Sequence, residues 1–295
     1  MSLPAPAENQ AFCNVSALEA GYLDLPDHMF ITGVQPGNAT HAPSLAFLIT
    51  HSKRPEKFVF DLGIRRDWGN YTPATVRWIK EVYPCVVPQN VIESLAKGGL
   101  SPTDVDTVCL SHLHWDHVGD VEPFTKSTFV VGGESLGLLK TGYPTDPNSR
   151  FDEHLLPLDR TRFLDDRTQW AQLGPFPRAF DFYGDGSLYI VDAPGHLPGH
   201  INVVARTSAD GGWICLAGDS AHHCKLVTGE AHIAVGASGH GPAACAHADK
   251  ASADFHLTMI RSLFRTPRVR VVLAHDTPFR KEQPDAFWPG RIASL

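Results

Sequence analysis

The chain has 295 residues, with 25 Lys+Arg against 32 Asp+Glu, a formal net charge of −7 and 43% apolar residues. That balance excludes a disordered chain, which lacks the apolar content for a core, and a general nucleic-acid binder, which needs a surplus of Lys and Arg. The length suits a single layered domain over 1–295. Sixteen His is the unusual count; imidazole is the commonest metal ligand and the usual proton carrier near neutral pH.

Residues 1–11 read as a Pro-containing, flexible N-terminal arm, the segment a homodimer would use. The start, Met1-Ser2-Leu3-Pro4, offers no basic n-region and no apolar h-region, so no signal peptide is expected. No apolar run approaches the roughly 18–20 residues that span a bilayer, so no membrane partner is expected either. Cys13, Cys85, Cys109, Cys215, Cys224 and Cys245 form no CxxC. Scattered thiols of this kind point to a reducing, cytoplasmic location.

Apolar, β-rich runs follow at 12–18, 45–49 and 58–60, with a polar, Pro55-containing hairpin link before the last. Val76, Ile79 and Val82 predict a helix over 72–83. Val91, Ile92 and Leu95 predict another over 88–97, stopped by Gly98-Gly99. Short strands are predicted at 107–110 and 128–131, then a helix at 133–139. Residues 140–182 are rich in Pro, Asp, Arg and aromatics without a period and read as a long excursion with short strands. Strands are predicted again at 187–192, 201–206 and 213–217. An amphipathic helix is predicted over 249–264, with Phe255, Met259, Ile260 and Leu263 on its apolar side, and a last strand over 269–273. Short strands mixed with a few helices give an α/β or α+β layered domain.

The sharpest feature is Ser111-His112-Leu113-His114-Trp115-Asp116-His117. It follows a β-run and precedes Val118-Gly119, so it belongs on a strand-to-helix turn. A tight turn lets His112 and His114 point at one metal while Asp116 and His117 point at a second position. Neutral imidazole and carboxylate are suitable ligands for zinc and its neighbours. The plainer reading, imidazoles that merely cap backbone, is unattractive for three His and one Asp within six residues. Three later sites share one context, an apolar strand and then a ligand-type residue. They are Pro194-Gly195-His196-Leu197-Pro198-Gly199-His200, Gly218-Asp219 and Ala274-His275. Strand-end loops are the usual place for site residues on a rigid scaffold.

These strings together resemble the metallo-β-lactamase-fold hydrolases, in order from about residue 43 to 290. The resemblance implies a four-layer αβ/βα sandwich, two mixed sheets face to face with helices outside and a site at one edge. It implies a first metal held by His112, His114 and His200, a second by Asp116, His117 and His275, and Asp219 bridging both. His196 would be structural or support a ligand. Asp61, in Phe60-Asp61-Leu62-Gly63, would orient a ligand His. Two divalent cations are implied, zinc by default, with iron, manganese or cobalt fitting the same donors. Their shared hydroxide would attack the carbonyl of a small-molecule substrate, with Asp116 as ligand or proton shuttle.

Within the family the chain resembles the lactonase-type branch, which opens N-acyl-homoserine lactones and related rings. Trp68, Tyr71, Trp78 and Tyr83 within 62–85, with Trp115, His223 and Trp288, are expected to wall the substrate pocket. In characterised homoserine lactonases a Tyr lies three residues after the bridging Asp; here that position is His222. An imidazole there can donate a hydrogen bond or a proton. The change widens the candidates from lactones to lactams, carbamate-like rings and simple esters. A thioesterase of hydroxyacylglutathione or acyl-carrier-protein type is the alternative, and a non-catalytic metal sensor the remotest one.

Overall fold

The structure, a computed structural model, describes residues 2–165, 167–236 and 245–295. Thirteen strands are described: β1 (Cys13–Pro26), β2 (Ala39–His51), β3 (Lys57–Phe60), β4 (Cys85–Val86), β5 (Thr107–Cys109), β6 (Thr128–Gly132), β7 (Thr161–Leu164), β8 (Trp170–Leu173), β9 (Phe176–Asp181), β10 (Leu188–Asp192), β11 (Ile201–Arg206), β12 (Trp213–Leu216) and β13 (Val269–Val272). They form two sheets, ordered β4-β1-β2-β3-β5-β6-β7 and β13-β12-β11-β10-β9-β8. Both sheets are mixed. β3, β5, β6 and β7 run parallel while β1, β2 and β3 are antiparallel, and in the second sheet only β12 and β13 are parallel. Each parallel step needs a crossover, and helices supply part of the cover, as layered mixed folds require.

Apolar side chains from both sheets meet in one buried cluster. Phe47, Phe58 and Phe60 of the first sheet pack there with Ile190, Val203, Ile214 and Leu216 of the second. β12, with all four residues buried, reads as a continuous apolar run for that reason; β11 is buried along all six residues and carries Asn202 and Arg206 among its apolar ones.

The helices are α1 (Pro73–Glu81), α2 (Val91–Ala96), α3 (Trp115–Val118), α4 (Ser135–Lys140), α5 (Cys224–Thr228), α6 (Lys250–Phe264) and α7 (Thr277–Glu282). Their starts are chemically marked: Thr72 caps α1, Asn90 closes a capping box with Glu93 on α2, and Asp249 caps α6. On α6 the buried positions are Ala253, His256, Leu257, Met259, Ile260 and Leu263. Phe255 was expected on that face, but it is 64% exposed. The inward stripe steps 253, 256, 260, 263 by threes and fours, and 255 falls off it. The N-terminal arm is tied down at points: the buried Arg206 donates from Nη2 to the carbonyls of Pro4 and Ala5. The excursion contains β7, β8 and β9, of which β7 forms one edge of the first sheet and β8 one edge of the second.

Candidate metal centre and pocket

Four strands end at one edge, and the residues that follow their last turns converge there. His112 to His117 follow β5 and run into α3; His196 lies between β10 and β11; Asp219 follows β12; His275 follows β13. Three of the ligand-type rings are held by one nitrogen so that the other faces inward. His112 Nδ1 lies 3.0 Å from Ser111 Oγ, His117 Nδ1 2.9 Å from Asp61 Oδ2, and His275 Nδ1 2.9 Å from the Pro43 carbonyl. Such partners fix both tautomer and ring angle. Asp61 adopts φ +62°, an uncommon backbone for a non-glycine residue. Its carboxylate accepts from Ser111 N–H at 2.6 Å and Ser111 Oγ–H at 2.8 Å, which holds it there.

The free nitrogens gather in two sets. His112 Nε2 and His114 Nδ1 are 2.9 Å apart, and His196 Nε2 lies 3.2 Å from the first and 2.9 Å from the second. The second set is Asp116, His117 and His275, with His275 Nε2 3.4 Å from Asp116 Oδ2. Asp219 stands between them and divides its oxygens. Oδ2 is 3.7 Å from His112 Nε2 and 3.3 Å from His196 Nε2, while Oδ1 is 3.3 Å from His117 Nε2 and 3.4 Å from His275 Nε2.

The structure exchanges the expected roles of the two His in the Pro-Gly-His doublet. His196 joins His112, His114 and Asp219. His200 uses both nitrogens on backbone: Nδ1–H donates to the Ala193 carbonyl at 2.9 Å, and Nε2 accepts the Asp219 N–H at 3.1 Å. His200 is therefore a buried brace that positions Asp219. Two glycines make the turn that aims His196 inward. Gly195 sits at φ +129°, where a Cβ would overlap the Ala253 backbone, and Gly199 at φ +79°, where it would overlap Ser135.

The donor set fits divalent cations on three counts. First, three imidazole nitrogens about 3 Å apart cannot be satisfied by protons alone, whereas a tetrahedral zinc with bonds of 2.0–2.1 Å sets its ligands about 3.3 Å apart. Second, His117 Nε2 and Asp219 Oδ1 are buried without a hydrogen-bond partner. Third, the charges are arranged for ligation. Burial holds His112 and His196 well below the usual imidazole range and His114 down at about 4, so all three are neutral. Burial also lowers His117 and His275, but the carboxylates beside them outweigh it, raising His117 well above its usual value and His275 to about 10. Burial would raise Asp116 and Asp219; His117 above all outweighs it and keeps both ionised.

A cavity of about 240 Å³ opens above these groups. Its wall includes Leu25, Phe30, Trp78, Tyr83, Trp115 and Phe151. His222 lines it too, with Nε2 3.1 Å from Asp219 Oδ2. Four of the expected wall residues lie elsewhere. Trp68 packs at the margin of a core cluster. Tyr71 donates its hydroxyl to the Trp115 carbonyl at 2.6 Å and so supports the wall from behind. His223 caps α5, accepting from Lys225 N–H at 3.1 Å. Trp288 donates from Nε1 to the Leu95 carbonyl at 3.1 Å. One pocket residue carried no signal beyond the His count: His247, buried, with its ring centroid 5.2 Å from those of both His196 and His222.

A strand-end cluster of His and Asp at the edge of two facing mixed sheets is the build of a metallo-hydrolase. The family model described as "Metallo-beta-lactamase superfamily" matches residues 42–255, and the chain belongs to that superfamily. A gamma-lactamase of Fusarium pseudograminearum is 36% identical over 237 residues, 75% of this chain and 57% of that protein. A gamma-lactamase of Gibberella moniliformis is 39% identical over 175 residues, 56% of this chain and 71% of that protein. The chain thus spans little more than half the length of the first of these. Among solved structures, an N-acyl homoserine lactone hydrolase with N-hexanoyl-L-homoserine at its catalytic metal center superposes with a TM-score of 0.69 at 16% identity, covering 96% of this chain and 100% of that one.

Proposed function

We propose that this chain is a two-metal hydrolase that opens a small cyclic amide or ester, a lactam before a lactone. One observation carries the reading: Asp219 gives one oxygen to His112 and His196 and the other to His117 and His275, on the floor of an apolar, aromatic-walled cavity. His112, His114 and His196 would hold one cation, Asp116, His117 and His275 the other, and Asp219 both. Two divalent cations, zinc by default, supply Lewis acidity and a water whose pKa falls to near neutral.

The rest is the work of side chains. Phe30, Trp78, Tyr83 and Trp115 bind the ring's apolar faces and exclude bulk water. Asp116 is the carboxylate of the second set that also lines the cavity. It accepts the proton from the attacking water and passes it towards the leaving atom. His222 Nε2 lies 3.1 Å from Asp219 Oδ2 and holds that carboxylate in place, while its ring lines the same wall. Relatives named gamma-lactamase support the amide reading.

The test is turnover of γ-butyrolactam, γ-butyrolactone, N-hexanoyl-homoserine lactone and an acyl thioester by protein loaded with zinc to two equivalents. Ring opening of the cyclic substrates, lost on chelation, is the expected result. Fully loaded protein that cleaves only the thioester, or none of the four, would overturn the reading.

A further inference from the structure

We infer that Arg150 is a specificity residue that recognises an anionic, carboxylate-class substituent on the substrate, at the mouth of the cavity. The inference rests on the ring-opening reading for what happens to the substrate, but the recognition itself is argued from the cavity alone.

Arg150 lines the cavity beside Phe151, and its guanidinium carbon lies 5.0 Å from the centroid of the Trp78 ring. The main chain fixes the position: the Arg150 carbonyl accepts the Thr75 hydroxyl at 2.9 Å, tying the loop to α1. Phe151 in turn stacks on His114 with ring planes 13° apart, which places the Arg150-Phe151 pair directly over the floor. The guanidinium is close enough to act electrostatically on His114 and on Tyr83.

Arg150 brings to the cavity a charge that no acid answers. Arg65, Arg66, Arg178, Arg268 and Arg280 each pair with an Asp or Glu. Among the described residues Arg150 pairs with none, in a chain whose acids outnumber its bases. Burial works against its charge as well. Arg150 is nonetheless exposed to solvent at the cavity mouth, with its guanidinium over the Trp78 indole, a place from which a forked donor can meet a planar carboxylate on a bound substrate. An aromatic shelf under a guanidinium also holds it at little conformational cost. The substrate class that follows is a cyclic amide or ester bearing a carboxylate, or an equally charged acceptor, on the side of the ring remote from the scissile bond.

The experiment uses the zinc-loaded protein and two readouts. Calorimetry measures binding of succinate, glutarate and adipate, each against its half-amide, to wild type, Arg150→Gln and Arg150→Lys. One carboxylate of each pair is common, so the contrast reports on the far end. The expected result is a member of the series whose diacid binds Arg150→Gln about tenfold more weakly, while its half-amide shifts less than about twofold, the size of one charge-assisted pair. Arg150→Lys should restore part of the loss. In kinetics, 5-oxopyrrolidine-3-carboxylate against its amide should show the same contrast in KM with little change in kcat. Equal losses for diacid and half-amide, or none, would overturn the inference. Diacid discrimination without any ring opening would keep the anion site and remove the ring-opening reading. Among the described residues the Arg150 side chain makes no hydrogen bond that the fold depends on, so an unchanged melting temperature is expected for both variants.

Discussion

The floor of the cavity is made of residues that lie just past the ends of strands, and its rim of residues on a helix and on connecting segments. On the floor, His112, Asp116, His117, His196, Asp219 and His275 are all less than a tenth exposed, and each lies past the end of a strand. On the rim, Phe30 follows β1, Trp78 comes from α1, and Arg150 and Phe151 sit on the long connection between α4 and β7. The floor is therefore rigid and specified by the sheets, while the rim can change without disturbing them. Chemistry common to a superfamily sits on the first, and choice of substrate on the second.

The largest expected break in this comparison is Asp219→Ala. It removes the one carboxylate shared by both sets. Metal content after dialysis should fall from about two per chain to one or fewer, with turnover down about a thousandfold or more. A variant that keeps both cations and most turnover would dismantle the two-set floor.

A second test separates the two His of the doublet. His196→Ala should lose one cation at moderate chelator concentration. His200→Ala should keep both in the folded state but lower the melting temperature, since it leaves the Asp219 N–H and the Ala193 carbonyl unpaired, at about 1–3 kcal/mol for a buried group. Reversed phenotypes would restore His200 as the ligand. One step further from the metals, Asp61→Asn should weaken metal affinity about 10–100-fold by loosening His117, the usual size for a group that orients a ligand. Titration with a fluorescent zinc indicator reads this directly.

The same division explains what the chain order could disclose. The 112–117 cluster is local, so its spacing alone puts it on one turn. Asp219 and His275 each follow an unmistakable apolar strand. The Pro-Gly-His doublet is different: both His have identical flanks, and which one turns inward depends on Gly195 and Gly199 fitting against Ala253 and Ser135, elements about 55–65 residues away on either side. No spacing rule carries that. Rim residues are harder still. Trp68 and Trp78 look alike as aromatics in one stretch, yet only Trp78 faces the cavity, because α1 presents it there. His247 lies just before α6, and nothing in its sequence neighbourhood marked it. On α6 itself the error at Phe255 was one of phase, a residue of the right kind one step off the buried stripe.

Smaller effects should come from the rim. Trp78→Leu removes the shelf under Arg150 and part of the apolar wall. It should raise KM about tenfold, the worth of roughly one aromatic contact of 0.5–1.5 kcal/mol beyond its buried area, with metal content unchanged. A large loss of kcat with unchanged KM would instead place Trp78 on the floor side of the division.

The smallest kinetic effect is expected at Trp288, an aromatic of the same type in the wrong place. Its indole packs on Gly98, where any added Cβ would overlap it, and its Nε1–H donates to the Leu95 carbonyl at the end of α2. Trp288→Phe keeps most of the ring but leaves that carbonyl without its donor, which should cost about 1 kcal/mol of stability. The kinetic constants should stay within about twofold of wild type, because α2 and the C-terminal segment support the outer face of the first sheet and touch neither floor nor rim. Thermal melting and steady-state kinetics on one preparation test both halves. A shift in KM at Trp288 comparable to that at Trp78 would mean that the wall extends around the back of the sheet, and the division between floor and rim would have to be redrawn there.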